Sequence, residues 1–282
     1  MYTAHNVRPA YCLRYAWTGW PSAGSAFPES ITSVMREVAP GWEADGLRLL
    51  ESRCGGEKIQ ALFSATPHVS PVSLASRVKG RLDHALRRAG PGVRYSRKLA
   101  VRTVGNNRTS QVEAYIRRQV SKGEFIDPRF LEEMRTLTVS MEHVYLAAPT
   151  ETRSGHYWYN LHMVLVCGEH CGIREHDVLT QIREQCFRIA ERKGYAIADL
   201  SVMPDHLHAA LRGNIEHSPE EIVLSFQNNL AYALGQNRVW EDEYYVGTFS
   251  EYDMGAIRRA AKEASSPAGR AGRGRAQCDC GA

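Results

Sequence analysis

Residues 70–88, SPVSLASRVKGRLDHALRR, and residues 218–235, SPEEIVLSFQNNLAYALG, are two versions of one helix pattern. Each begins with Ser-Pro, which is typical of a helix with serine as its N-cap and proline at its first helical position. Apolar residues then recur three and four apart, as in a helix that packs one face against a core. The two stretches lie 148 positions apart. The chain therefore contains an internal repeat.

The same offset of 148 superimposes further residues of the two halves. Kept without a gap, it places Tyr11, Leu13, Ile31, Val34, Gly46, Ala61 and Leu82 over Tyr159, Leu161, Leu179, Ile182, Gly194, Ala209 and Leu230, respectively. The apolar period, the Ser-Pro helix start and the turn glycine all agree. We interpret the chain as a duplication.

Each copy is predicted to run strand, helix, two strands, helix, strand, which is a ferredoxin-like order. A further helical segment follows in each, around SQVEAYIRRQVS and MGAIRRAAKEAS. The predicted fold class is α+β, with two tandem ferredoxin-like domains arranged as a pseudo-dimer. Each domain is an antiparallel sheet with helices on one face and an extra C-terminal helix. The expected divisions are a first domain (1–122), a linker with a turn at Asp127-Pro128 and a short helical piece (123–154), a second domain (155–265) and a disordered basic tail (266–282).

The composition is that of an ordinary globular protein, with 43% hydrophobic and 23% charged residues in 282. The formal net charge of +4 permits a nucleic-acid partner without requiring one. No apolar run reaches the length of about 18 residues needed to span a membrane, and the N-terminus lacks the pattern of a signal peptide. We therefore expect a cytoplasmic protein with no membrane partner.

Two histidines alternate with a leucine in VMPDHLHAALR, residues 202–212. Side chains two apart on a strand face the same side, so His206 and His208 present two imidazoles that could hold a divalent metal. Paired histidines on a half-buried strand are also common as hydrogen-bonded structural residues. The equivalent positions of the first copy are Lys58 and Gln60, so that copy lacks the pair.

A tyrosine distinguishes the copies in the opposite sense. Near the end of each copy the offset falls to 145, which superimposes Thr103 on Thr248. Tyr115 and Gln119 then meet Ala260 and Ala264. Tyr115 and Gln119 are four apart on a predicted helix and should share a face. Each copy therefore keeps what the other lacks.

These motifs resemble those of the single-tyrosine HUH transposases, both the TnpA-type insertion-sequence enzymes and the REP-associated tyrosine transposases. MPDHLHAAL resembles the family's His-hydrophobic-His strand, and TVG followed by AYIRRQ resembles its tyrosine helix. The resemblance covers roughly residues 10–125 and 155–265. It implies that such enzymes are homodimers in which the tyrosine helix of one subunit completes the histidine site of the other. This chain looks like a fused form that keeps one composite site.

The resemblance implies a catalytic Tyr115 and a Mg²⁺ or Mn²⁺ ion bound by His206, His208 and Gln119. A tyrosine hydroxyl can form a phosphotyrosine that a later 3′-hydroxyl reverses, and a metal polarises the scissile phosphate. We expect a metal-dependent endonuclease and strand transferase for single-stranded DNA with hairpin ends. Asp205 could orient an imidazole or could simply be a strand-end turn residue. His162 could be a core or edge histidine.

A basic set in the first copy could follow a single strand by phosphate contact and stacking. Its members are Arg77, Lys79, Arg81, Arg87, Arg88, Arg94, Tyr95, Arg97 and Lys98. A solvated helix face is the simpler explanation of the same charges. A catalytically silent DNA-binding regulator and an RNA-binding scaffold are the rival functions. The expected state is a monomer that acts as a pseudo-dimer, with a homodimer on DNA as the alternative.

Overall fold

The computed structural model describes residues 1–89, 95–122, 128–168, 172–173 and 175–251. The first half contains β1 (Arg8–Cys12), β2 (Arg14–Pro21), α1 (Ile31–Ala44), β3 (Leu47–Cys54), β4 (Ile59–Ala65), α2 (Pro71–Ala89), β5 (Tyr95–Val104), α3 (Thr109–Arg117) and α4 (Gln119–Lys122). The rest contains α5 (Pro128–Thr136), β6 (Thr138–Ser140), β7 (Thr150–Glu151), β8 (Gly155–Trp158), β9 (Asn160–Cys167), α6 (His176–Lys193), β10 (Ala196–Val202), β11 (His206–Arg212), α7 (Pro219–Ala233) and β12 (Trp240–Thr248).

Each half builds the four-stranded antiparallel core of a ferredoxin-like sheet. The first sheet contains the order β3-β4-β2-β5, and the second contains β12-β9-β11-β10. Numbered within each half, both sheets place the strands in the order 2-3-1-4, read from opposite edges. The predicted tandem ferredoxin-like fold class is confirmed.

Strands from the other half extend each sheet, which the sequence did not predict. β1 pairs in parallel with β12, and β8 pairs in parallel with β5. Between β1 and β2 the chain is interrupted at Leu13, and between β8 and β9 it is interrupted at Tyr159. At these two buried residues the chain passes from one sheet to the other. The sheets are therefore mixed rather than purely antiparallel, with a parallel pair in each.

Strand pairing confirms the repeat and corrects part of its alignment. The equivalent cross-strand pairs are Trp17 with Ala61 and Met163 with Ala209. β4 and β11 therefore follow the offset of 148, whereas β2 and β9 follow an offset of 146. The ungapped superposition of Leu13 on Leu161 was wrong by two residues. An error of two keeps every side chain on the same face of a strand, so the apolar alternation did not reveal it.

The helix ends follow the predicted local signals. Ser218 caps α7 by accepting from the backbone N–H of Glu221, and Ser70 accepts likewise from Ser73 before α2. Gly46 and Gly194 follow α1 and α6 with φ of +81° and +71°, a conformation that side chains disfavour. The predicted linker helix is present as α5. The predicted helix at 254–265 and the tail at 266–282 lie outside the described residues, and the domain divisions stay a prediction.

The helices α1, α2, α6 and α7 pack on the inner faces of the two sheets. Their apolar side chains and those of the strands form one continuous buried cluster drawn from both halves. The rings of Tyr15 and Tyr159 meet in it, with centroids 6.3 Å apart. None of the helices in the described part of the chain is both long and apolar enough to cross a bilayer.

Two equivalent threonines hold the halves together by reciprocal hydrogen bonds. Thr103 Oγ1 donates to the carbonyl oxygen of Phe249 at 2.8 Å, and Thr248 Oγ1 donates to that of Val104 at 2.6 Å. Thr103 Oγ1 also accepts from the N–H of Asn160, just as Thr248 Oγ1 accepts from that of Arg14. Both threonines are buried. The same contact made twice, with the roles exchanged, marks a pseudo-twofold axis between them.

The helix α3 leaves this axis and packs on the outer face of the second sheet, the face opposite α6 and α7. Val112 and Ile116 of α3 form a small buried cluster with Ala198, Ala210 and Phe249. The second sheet therefore has α6 and α7 on one face and the extra helix α3 on the other. The segment that contains the predicted tyrosine helix belongs in sequence to the first half and in space to the second.

The close approach at the axis gives a stability test. Gly105 is buried, and a Cβ at this position would overlap the backbone carbonyl oxygen of Thr248. Gly105→Ala should destabilise the chain by about 1–3 kcal/mol because neither backbone has room to move. Gly80→Ala in α2 is the matched control: its Cβ would meet nothing within 4 Å, and it should stabilise by about 0.5–1 kcal/mol. Denaturant unfolding measures both, and equal midpoints for the two variants would contradict the tight crossing.

Candidate active site

The two predicted histidines lie side by side on β11. Their ring centroids are 4.9 Å apart, and His208 is buried whereas His206 is partly exposed. Leu207 between them points into the core. Both imidazoles therefore face the outer side of the second sheet, where α3 packs. The equivalent strand of the first sheet, β4, has Gln60 at the position of His208, as the repeat predicted.

A third histidine, His162 on β9, belongs to the same group. Its ring stacks on His208 with centroids 5.3 Å apart and 19° between the planes, and its Nε2 lies 3.1 Å from His208 Nδ1. Burial lowers the pKa of His162 to about 4. From the sequence alone, no functional role could be assigned to this residue. Because β9 and β11 are neighbours in a ferredoxin-like sheet, the outward position of His162 on β9 was the signal that could have found it.

Asp205 contacts the other predicted ligand. Its Oδ1 lies 2.7 Å from His206 Nδ1, and its backbone carbonyl accepts from the N–H of Cys167. The carboxylate thus lies where a group that orients the imidazole would lie. The contact favours a role in orienting the imidazole over that of a simple strand-end turn residue. This role stays a prediction.

Tyr115 lies over the histidines from the other half of the chain. Its ring centroid is 5.3 Å from that of His208 and 6.0 Å from that of His162, and it meets both rings edge-on. The tyrosine side chain is 39% exposed, so a substrate has access to it. The structure therefore brings together, within one chain, a tyrosine of the first half and the histidine pair of the second.

A cleft of about 660 Å³ opens at this point. Tyr245 of β12 stands on its far side, with a ring centroid 5.7 Å from that of His162. Burial raises the pKa of Tyr245. The cleft is lined by Asn107, Ser110, Gln111, Val112, Ala114, Tyr115, Arg118, His162, Val164, His208 and Tyr245.

Gln119 does not continue the helix of Tyr115. The helix α3 ends at Arg117, and α4 begins at Gln119 after a break at Arg118. The buried Gln119 side chain donates through Nε2 to the backbone carbonyl of Tyr115, 3.1 Å away. The expectation of one uninterrupted helix was therefore wrong. This hydrogen bond keeps Gln119 next to Tyr115. Because Nε2 is used in it, metal binding by Gln119 would use the amide oxygen, and that role stays a prediction.

An ion pair holds the tyrosine helix on the second sheet. Arg117 of α3 donates through Nε to Asp199 Oδ1 at 2.7 Å, and Ser140 of β6 donates to the same oxygen. Asp199 is buried beside a bulge in β10, and Glu51 is its counterpart in the first sheet. The hydrogen bond to this carboxylate raises the pKa of Arg117. Arg117, two residues after Tyr115, thus joins α3 to β6 and β10 through one carboxylate.

The predicted DNA-contact residues do not form one surface. Those of α2 lie on the helical side of the first sheet, and several bind within the chain: Arg77 to the carbonyl of Asp45, Arg81 to its carboxylate, and Arg87 to Asp83. Lys79 donates to the carbonyl of Ser96. The Tyr95 ring packs on Phe27. Arg88, Arg97 and Lys98 are exposed, and Arg94 lies outside the described residues. Their DNA contacts stay a prediction.

The donor atoms fit a metal bound by imidazoles. Among the described residues, no group of three His, Cys, Asp or Glu side chains is placed to hold an ion. The predicted ligand set contains two histidines and a glutamine, so it does not require such a group. His206 and His208 both use Nδ1 for their contacts with Asp205 and His162. Contacts of this kind are typical of metal-binding histidines, which then coordinate through the other ring nitrogen.

Residues 156–259 match the family model described as Transposase IS200 like. The match covers the half that contains the histidine pair, and it confirms the family resemblance predicted from the sequence. It supports a transposase. No curated protein matches the chain significantly.

Three solved structures are similar over parts of the chain. A putative transposase from Deinococcus radiodurans R1 is 21% identical, with 40% of this chain and 96% of that one covered and a TM-score of 0.33. A REP-associated tyrosine transposase bound to a REP hairpin is 10% identical, with coverages of 48% and 75% and a TM-score of 0.30. An unknown protein from Galdieria sulphuraria is 9% identical, with coverages of 84% and 97% and a TM-score of 0.20.

Removing the cation of the Arg117–Asp199 pair should loosen the tyrosine helix. Arg117→Met keeps the length of the side chain but leaves a buried carboxylate with only its hydroxyl partner, which should cost about 1–3 kcal/mol. Hydrogen exchange should then speed up in α3 more than in α6. The control, Arg188→Met, removes an exposed pair with Glu184 and should change little. Unchanged exchange in α3 would show that the apolar contacts alone hold the helix.

Proposed function

We propose that this chain, whose residues 156–259 match the IS200-like transposases, cuts and rejoins single-stranded DNA through Tyr115 at one composite site. The observation that supports this most directly is the position of Tyr115, 5.3 Å between ring centroids from His208 of the other half. A nucleophile and a metal ion must lie close together to act on the same phosphate. Here Tyr115 and His208 line the same cleft.

The reaction is a transfer of a phosphoryl group with no net loss of phosphodiester bonds. The Tyr115 oxygen attacks the phosphorus, loses its proton, and displaces the 3′-oxygen, which leaves as a 3′-hydroxyl. The DNA is then joined by its 5′-phosphate to the tyrosine. In the second step a 3′-hydroxyl attacks this phosphotyrosine, and Tyr115 leaves and regains a proton.

His206 and His208 would hold a Mg²⁺ or Mn²⁺ ion through Nε2, with Gln119 Oε1 as the third protein ligand. When bound, the ion would stabilise negative charge on the scissile phosphate. Imidazole and amide ligands suit Mn²⁺ better than Mg²⁺ on softness, although Mg²⁺ is the more abundant ion in cells.

Two side chains would orient the ligands. For His208 to offer the Nε2 lone pair, its proton must be on Nδ1, which then donates to Nε2 of His162. Asp205 would likewise accept a hydrogen bond from the Nδ1–H of His206, 2.7 Å away. We assign His162 and Asp205 as positioning residues. Tyr115 would be positioned by Gln119 behind it and by the Arg117–Asp199 pair beside it.

The partner in this proposal is single-stranded DNA with hairpin ends, of the kind that a REP-associated transposase binds in its solved complex. One chain would supply one complete site. Excision of an element needs two cuts, so the site would act twice or two chains would pair on DNA.

The nucleophile is tested by covalent trapping. Incubation of the chain with single-stranded DNA and Mn²⁺ should give an adduct that survives denaturation, and Tyr115→Phe should abolish it because the attacking oxygen is gone. Tyr245→Phe is the matched control in the same cleft and should still form the adduct. An adduct that persists in Tyr115→Phe and disappears in Tyr245→Phe would reassign the nucleophile. No adduct from the unaltered chain with any hairpin-bearing strand would favour a silent DNA-binding regulator.

Metal affinity tests the ligands without requiring cleavage. Titration of the chain with Mn²⁺, followed by the electron spin resonance of the free ion, should show one site. His206→Ala and His208→Ala should each abolish it. His162→Phe should weaken it by about 10- to 100-fold, since it removes the partner of His208 Nδ1. His84→Ala, on an exposed position of α2, is the control. Equal affinity in His208→Ala and in the unaltered chain would exclude the assignment.

A further inference from the structure

The outer face of the first sheet is the counterpart of the face that carries the histidines. On β2 the side chains of Tyr15 and Trp17 point into the core, so Thr18 and Trp20 alternate with them toward the outside, and Trp20 is 37% exposed. On β4 the same alternation places Gln60 outside next to the buried Ile59. The active-site face of the other half thus has an accessible equivalent with different side chains.

Basic side chains dominate this outer face. Strand register and alternation place Arg14, Arg48, Arg53, Lys58, Lys98 and Arg102 on it, together with the acidic residues Glu51 and Glu151, of which Glu151 lies beside His156. Arg48 and Arg102 pair with Glu43 and Glu251 at 3.9 and 3.7 Å. Within the described parts of the chain, Arg53, Lys58 and Lys98 form no ion pair, and all three are exposed. Such a cluster of like charges repels itself and is stabilised by a polyanion.

Trp20 lies at the same end of the sheet as two of these lysines. Gly19 of β2 pairs with Ile59 of β4 and with Leu99 of β5, and Lys58 and Lys98 precede these two partners in the chain. Trp20 follows Gly19, at the point where the register between β2 and β5 shifts. An exposed indole flanked by cations can stack on an unpaired base while the cations contact the adjoining phosphates. A duplex hides its base faces and offers only the phosphates.

The geometry points to a docking surface for single-stranded DNA on this face, with a base stacked on Trp20 and phosphates on Arg53, Lys58 and Lys98. The assignment rests on the proposed function, because the DNA in question is the strand that enters the cleft. Lys58 stands in the place of a metal-binding histidine, and an ammonium has no lone pair for a metal. The first half would therefore hold a strand that the second half cuts.

Arg14 connects the surface with the cleft. Its guanidinium donates to Asn106, which precedes the cleft residue Asn107, and its charge lowers the pKa of Tyr245 against the effect of burial. Arg14 and Trp20 lie on the same face of β2, six residues apart, which is about 20 Å along a strand. A single strand could follow this line from the cleft to Trp20 without leaving basic side chains.

Binding of a labelled oligothymidylate to the full chain without divalent metal, followed by fluorescence anisotropy, tests the surface apart from catalysis. Trp20→Ala should weaken binding by about 5- to 100-fold, and Trp20→Phe should retain most of the affinity because phenylalanine also stacks. Lys58→Ala and Lys98→Ala should each lower the slope of log affinity against log salt by about 0.7, the value for one single-strand phosphate contact. Arg192→Ala, at an exposed position at the end of α6, is the charge control.

Equal affinity of Trp20→Ala and the unaltered chain, with unchanged melting temperatures, would overturn the proposal. So would equal binding of a duplex, which would indicate charge attraction alone, or a preference for oligouridylate, which would indicate an RNA surface. The adduct assay separates this failure from failure of the proposed function. An adduct at Tyr115 together with unaltered binding in Trp20→Ala would refute the surface and keep the enzyme. Loss of binding in Trp20→Ala from a chain that forms no adduct would keep the surface and refute the enzyme.

Discussion

The reciprocal hydrogen bonds of Thr103 and Thr248 join the two halves at the pseudo-twofold axis. Each hydroxyl donates to a carbonyl of the other half and accepts from the backbone N–H at the start of β9 or β2. Both are buried, so neither can exchange its partner for water without cost. They bring the ends of β5 and β12 together, and the chain beyond β5 must leave at this point over the sheet of the other half.

This crossing explains why the site is composite. The tyrosine of α3 starts from the first half and can reach only the second sheet, where β9 and β11 present three histidines. Tyr115 never faces its own half, whose equivalent strand carries Lys58 and Gln60. The absence of histidines from the first half therefore does not change the side chains around Tyr115. That face is free to take on another chemistry, and its basic side chains with Trp20 favour a polyanion.

The tyrosine helix is held by a few contacts of modest strength. Val112 and Ile116 are the buried apolar residues of α3, and burial of such side chains contributes roughly 1.5–3 kcal/mol each. The buried Asp199 must be desolvated before Arg117 and Ser140 compensate it, so the ion pair adds direction more than strength. The apolar contacts attach the helix, and the ion pair sets which of its faces meets the histidines.

The duplication, the ferredoxin-like order of elements, the capped helix starts and the complementary distribution of Tyr115 and the histidine pair could all be predicted from the sequence. These depend on local periods of 3.6 and 2 and on capping residues, which act over a few positions. The two-residue shift between β2 and β9, the exchange of β1 and β8 between the sheets, and the contact of His162 with His208 could not be predicted. A shift of two leaves every strand residue on its face, so no periodicity records it. The exchange of strands and the stacking of His162 on His208 join residues far apart in the chain, and only packing selects such partners.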